Sequence, residues 1–200
     1  MGGFAVILAS RSPQRRAILE QLGIPFEVVV SDHDERVRAG DPVATVEQNA
    51  LGKAREVLAR VALEPGELVL GVDTVVVVDG RILGKAAGEE EARASLRLLA
   101  GRRHEVFSGL ALCDGRREAV GHAGTGVRFR PLDEAAVARY VAAGEWRERA
   151  GAYAIQGVGS ALVESVEGDY FNVVGLPVAL LVETLAAFGV APLSWAAPTP

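Results

Sequence analysis

Leu68 to Leu83 reads LVLGVDTVVVVDGRIL, and this stretch decides the fold. Its density of β-branched residues is too high for a helix, and Asp79-Gly80 is a hairpin turn, so Leu68 to Val78 is a strand that doubles back into Arg81 to Leu83. One residue stands out. Asp73 puts a carboxylate inside a run of Val and Leu, where a charge is costly unless it is paired, bound to a metal or placed at a cleft. Side chains two apart on a strand share a face, so Gly71 leaves the position beside Asp73 without a side chain. The two together read as a cleft floor. The alternative is a strand that ends at Gly71 with Asp73 in an exposed turn, and the valines that follow argue against it.

Upstream, FAVILASRSPQRRAILE (Phe4 to Glu20) runs a short apolar strand into a cationic turn and then a helix. Ser12 suits the N-cap, Pro13 the first helical position and Gly23 the stop. Arg11, Arg15 and Arg16 then lie beside the free N–H groups of the helix start. Three guanidiniums at the positive end of a helix dipole repel one another unless an anion binds, and a polyphosphate fits; solvated arginines on an amphipathic helix are the other reading. Pro25 to Val30 is a strand, Ser31 to Gly40 a charged mobile loop, and Asp41-Pro42 opens a helix to about Leu63 with Ala50, Ala54, Val57 and Val61 on one stripe. Lys53 lies at the edge of that stripe.

Downstream, a helix from about Glu89 stops at Gly101. Strands His104 to Cys113 and about Val120 to Phe129 follow, joined by Asp114-Gly115, and Asp133 caps a helix reaching Ala143. A glycine-rich passage, Ala150 to Gly159, leads into a strand from Ser160 to Val166, a loop from Glu167 to Gly175 and a last helix from Leu176-Pro177 to Gly189. The pattern predicts an α/β protein with a mixed, largely antiparallel central sheet, flanking helices and two lobes around a cleft. Residues 1–190 form a single domain in this reading, and 191–200 a flexible tail.

Of the 21 basic residues, only Lys53 and Lys85 are lysine and the rest are arginine. A chain that uses arginine almost everywhere marks its two lysines as places needing a compact ammonium, with chance composition the competing account. A net charge of −5 argues against a nucleic-acid-binding surface, and the apolar runs are too short to span a bilayer, so neither nucleic acid nor membrane is expected as a partner. The single Cys113 allows no disulfide, and no secretory leader opens the chain, which together point to the cytoplasm. His33, His104 and His122 are too scattered for a zinc site. Glu35, with Asp32 and Asp34 beside it, offers a second carboxylate for a divalent ion.

LASRSPQRRAIL (Leu8 to Leu19), Glu35, Lys53 in LGKAREV, GVDTVV (Gly71 to Val76), LGK (Leu83 to Lys85), GRRHEVFSGLAL (Gly101 to Leu112), AGAYAIQGVG (Ala150 to Gly159) and GDYFNVVGLP (Gly168 to Pro177) together resemble the Maf family of nucleoside triphosphate pyrophosphatases. The resemblance implies hydrolysis of a nucleoside triphosphate to the monophosphate and pyrophosphate with a divalent cation, Mg2+ or in its place Mn2+ or Co2+. It implies Asp73 as proton acceptor, Lys53 and Lys85 as catalytic cations, and Ser10, Ser12 and Arg15 on the substrate. Glu35 and Asp73 would hold the metal. It also implies a homodimer. The dTTP/UTP-directed members carry Arg, Thr and Gln at three base-selecting positions, which here are Gln14, Thr74 and Gln156, so Gln14 departs from that pattern. A nucleotide-binding regulator of cell division and an inosine-triphosphate-type purine pyrophosphatase are the rival readings.

Overall fold

The computed structural model describes residues 4–196. In chain order its elements are β1 (Ala5–Leu8), α1 (Pro13–Leu22), β2 (Phe26–Val28), α2 (Pro42–Leu58), β3 (Glu67–Val78), β4 (Arg81–Leu83), α3 (Glu89–Leu99) and β5 (Arg103–Cys113). There follow β6 (Glu118–Phe129), α4 (Glu134–Ala143), a 3-10 turn at Gly157–Leu162, β7 (Val163–Glu167), α5 (Tyr170–Val174) and α6 (Val178–Ala187). All seven strands join one sheet in the order β2-β1-β3-β5-β6-β7, with β4 also on β3. The β1 pairings are parallel and the others antiparallel, as expected of a mixed, largely antiparallel sheet.

The register along β3 creates the cleft. On one edge β1 covers Glu67 to Leu70 and β4 covers Val76 to Val78, so the edge from Gly71 to Val75 has no strand beside it. Asp73 and Thr74 lie in that notch. Being consecutive, their side chains leave on opposite faces of the sheet, and the gap makes both reachable from one opening.

Each face has its own core. The larger joins Leu70, Val72 and Leu110 of the sheet to Leu19, Leu96, Tyr140 and Leu181 of the helices. On the other face α2 lies over Val69 and Ala111, with Ala50, Ala54 and Val57 inward, which is the apolar stripe read from the sequence. Here the close approach is made by glycine. A Cβ on Gly71 would run into the Ala50 carbonyl oxygen, and one on Gly109 into that of Val46, so α2 rests its main chain directly on β3 and β5. Gly71 is therefore the seat of a helix and not an open cleft floor; a bare strand position invites whatever backbone packs across it, which the strand itself does not specify.

Three further boundaries differ from the sequence reading. The regular part of α2 stops at Leu58, not Leu63, and one more turn is closed by the Arg60 and Val61 amides donating to the Val57 carbonyl, before Pro65 disfavours helix. Ser160 to Leu162 belongs to the 3-10 turn, and Tyr170–Val174 winds into a short helix capped by Asp169, whose carboxylate accepts from the Phe171 amide at 2.8 Å. The Ser31 to Gly40 segment has no regular structure, yet it is held down and not loose. The Asp32 amide donates to Glu56, the Arg36 amide to Asn49 and the Arg38 amide to Thr45, all three acceptors lying on α2. At the C-terminal end Trp195 packs against Phe4 and donates from Nε1 to the Leu22 carbonyl at 3.0 Å; residues 197–200 of the expected tail lie outside the described part.

Candidate active site

A cavity of about 890 Å3 opens at the notch, bounded by the start of α1, the 31–37 loop, the middle of β3 and the 147–156 segment. Its α2-side wall carries the carboxylates. Lys53, buried on α2, donates from Nζ to Asp73 Oδ1 at 2.7 Å and contacts Glu35 Oε1 at 2.6 Å, with the Val72 carbonyl at 3.3 Å. The seating of α2 on Gly71 brings it there. Asp73 Oδ2 accepts from Asn49 Nδ2 at 2.9 Å, so this buried carboxylate has a partner on each oxygen. Burial pushes the Glu35 carboxyl up, but the Lys53 ammonium, helped by Lys85 and Arg15, pulls it below the usual carboxylate range overall.

The opposite wall is built around Arg15. Its guanidinium is buried and donates from Nε to the Gly175 carbonyl (2.9 Å), from Nη1 to Ser10 Oγ (2.9 Å) and from Nη2 to Thr74 Oγ1 (3.2 Å). Burial lowers its pKa, with Asp73 and Glu35 pulling the other way, and a guanidinium stays protonated regardless. Five N–H donors less three leaves two for a ligand. Ser10 Oγ also accepts from the Ser12 amide at 3.2 Å, so its own proton is free to point outward. Thr74 shares a 2.9 Å hydrogen bond with Ser108, which reaches the Asn172 carbonyl at 3.5 Å.

The remaining sequence candidates are dispersed around the opening. Ser12 is at the N-cap of α1 but does not cap it; its hydroxyl donates to Gln14 Oε1 at 3.1 Å. Arg11 and Gln14 line the cavity, whereas Arg16 is exposed and not among its lining residues, so two of the three expected guanidiniums serve it. Lys85, half-exposed across the cavity, pairs with Glu148 at 3.2 Å, and Gln156 lies exposed on the rim. His104 is outside the site: it is buried against Tyr153 and Phe129, and burial, with Arg103 nearby, depresses its pKa to about 4.

Two contributors escaped the sequence reading. Asn49 lies four residues before Lys53, so the two share a helix face, and a polar amide next to the apolar stripe was the available signal. Glu148, the partner of Lys85, sits at φ 58, a left-handed conformation with nothing in the local sequence to announce it.

Among the described residues no group of three or more His, Cys, Asp or Glu converges as a ligand cage. Two carboxylates meeting at one ammonium make a hard-oxygen pair, which suits an ion that takes its other ligands from phosphates and water.

A mixed sheet notched along one edge of β3, with a cation-rich helix start on one side and two acids sharing an ammonium on the other, marks an α/β protein whose site suits an anionic ligand. The chain belongs to the Maf family: residues 5–188 match the family described as Maf-like protein. It is 50% identical over 185 residues to a dTTP/UTP pyrophosphatase of Symbiobacterium thermophilum, covering 92% of this chain and 94% of that one. Proteins of the same description from Gloeobacter violaceus (49% over 184 residues; 92% and 95% covered) and Deinococcus radiodurans (45% over 185; 92% and 93%) are similar along the same length.

Proposed function

We propose that the protein is a nucleoside triphosphate pyrophosphatase that cleaves dTTP, UTP or related pyrimidine triphosphates to the monophosphate and pyrophosphate. One observation carries the reading: the Lys53 ammonium sits between Glu35 and Asp73, across the notch from Arg15 and the start of α1, in a chain about half identical to dTTP/UTP pyrophosphatases. In this reading Asp73 takes a proton from a water as its oxygen attacks the α-phosphorus. The bond from that phosphorus to the α,β-bridging oxygen breaks, and the electron pair leaves with pyrophosphate. The two spare N–H groups of Arg15, the Ser10 hydroxyl and Lys85 bind phosphoryl oxygens, and Lys53 offsets the charge that accumulates beside Asp73.

Glu35 and Asp73 would hold the divalent cation, Mg2+ by the chemistry of the donors, and the ion supplies charge neutralisation on the phosphates. Gln156 suits base recognition because its rim-exposed amide both donates and accepts, as a pyrimidine edge requires. Thr74 acts differently, since its hydroxyl is committed to Arg15 and Ser108. The family resemblance supports a cytoplasmic homodimer, which light scattering would test; no helix among the described residues is long and apolar enough to cross a membrane.

The deciding experiment is pyrophosphate release from dTTP, UTP, GTP, ATP and ITP with Mg2+, with the nucleotide product identified. Equimolar monophosphate and pyrophosphate with pyrimidines preferred supports the reading. Binding without turnover would make the protein a nucleotide-binding regulator, and a preference for ITP would move it to the purine class.

A further inference from the structure

The Asn49 amide makes three hydrogen bonds at once and is almost fully buried. Nδ2 donates to Asp73 Oδ2 at 2.9 Å and to the Arg36 carbonyl at 3.1 Å, while Oδ1 accepts from the Arg36 amide at 2.9 Å. Turning the amide over would place NH2 against an N–H and an oxygen against a carboxylate, so this network fixes its orientation. One planar group thus grips both the strand carboxylate and the main chain one residue beyond Glu35.

We propose that Asn49 is a positioning residue that sets the spacing of the two acids and chooses which Asp73 oxygen faces the reaction. With Oδ2 held by the amide, Oδ1 is the oxygen turned toward Lys53 and Glu35. Lys53 also touches both acids, but an ammonium on a flexible stem accepts many geometries, and any ion that enters competes with it for the same carboxylates. The amide is planar and has both N–H groups engaged, so it keeps its grip when the carboxylates rearrange around a ligand. The same grip on Arg36 ties down the loop carrying Glu35, together with Thr45 on Arg38 and Glu56 on Asp32. His33 completes the docking: its ring lies on Gly52 of α2, where a Cβ would collide with it. Glu35 is therefore presented from a loop already in place.

The proposal rests on the reading of Glu35 and Asp73 as the metal-holding pair, so its test measures the metal directly as well as the loop. Asn49→Leu removes all three bonds while keeping the number and branching of the side-chain heavy atoms. Asn49→Ser adds no charge beside the acids, but its side chain is too short to hold Asp73 and the Arg36 main chain together. Mn2+ binding by paramagnetic resonance without nucleotide, amide exchange across residues 32–40, and Tm are recorded for wild type and both variants. The expected result is a loss of about tenfold to a hundredfold in Mn2+ affinity in both, the scale for groups that orient metal ligands, with faster loop exchange in Asn49→Leu. If either folded variant binds Mn2+ within about threefold of wild type, or if Asn49→Leu leaves loop exchange unchanged, the positioning role is wrong. Wild-type protein that binds no Mn2+ would instead remove the metal-holding reading and the proposal with it.

Discussion

Replacing Asp73 by Asn keeps the shape of the side chain and changes two things that can be measured separately. The carboxylate accepts from Lys53 on one oxygen and from Asn49 on the other, whereas an amide has one acceptor and one donor group. Whichever way it turns, one of those donors must face an NH2. Losing one charge-assisted bond costs about 1.5–3 kcal/mol. The larger penalty of an orphaned buried ammonium is avoided, because Lys53 keeps Glu35 at 2.6 Å and the Val72 carbonyl at 3.3 Å. At about 2–4 °C per kcal/mol for a chain of this size, Tm should fall by roughly 3–12 °C, leaving folded enzyme at 25 °C. The chemical step suffers more, since loss of a general base removes a factor of about 10² to 10⁴, or roughly 3–5 kcal/mol of barrier. Pyrophosphate release from dTTP at saturating Mg2+, run beside thermal unfolding, separates the two effects. A variant that shows the Tm loss but keeps more than about a tenth of the wild-type kcat would refute the reasoning and leave Asp73 as a counter-ion for Lys53.

Lys85→Arg keeps its charge and, being half-exposed, has room, yet kcat should fall by about tenfold or more because a broad fork replaces a compact ammonium at the phosphates; unchanged kcat and KM would make the scarcity of lysine a compositional accident. Gln14→Arg completes, with Thr74 and Gln156, the Arg, Thr and Gln triplet that the family resemblance implies for dTTP/UTP selection, and should raise kcat/KM for dTTP and UTP relative to GTP and ATP by roughly fivefold or more; an unaltered ratio would make position 14 helix surface. His104 has its pKa held at about 4 against an ordinary 6.5, so between those values the unfolded chain binds a proton that the folded chain refuses, and stability falls as pH drops through that window. The full difference is about 3 kcal/mol. Urea unfolding at pH 7 and pH 4 should therefore show wild type losing about that much more than His104→Phe, and parallel losses would mean that the histidine is not buried neutral.

What the sequence disclosed was mostly what is written locally. Caps at Asp41 and Asp133, the Asp79-Gly80 turn and the valines after Asp73 each act within a few residues, and each element appeared close to its expected place. The suspicion attached to Asp73 and Lys53 was of the same kind, since a charge in an apolar run is conspicuous without any knowledge of its partner. What stayed hidden depends on distant pairing. The notch exists because β1 and β4 cover different parts of one strand, a fact of register and not of composition. The acid loop's own residues are polar and by themselves predict mobility, while the groups that hold it, Asn49, Thr45 and Glu56, are spread along a helix that begins just beyond it.

Because α2 rests its main chain on Gly71 and Gly109, the gap between Lys53 and Asp73 is gauged by the thickness of a peptide backbone and not by the bulk of any side chain. Substitutions in the larger core, on the opposite face of the sheet, can swell or shrink the packing without changing that gauge, so that side of the interior is free to drift in sequence while the site keeps its dimensions. The tolerance is tightest where main chain meets main chain. A single methyl at position 71 or 109 would act as a wedge, lifting the helix with Asn49 and Lys53 from the strand that carries Asp73.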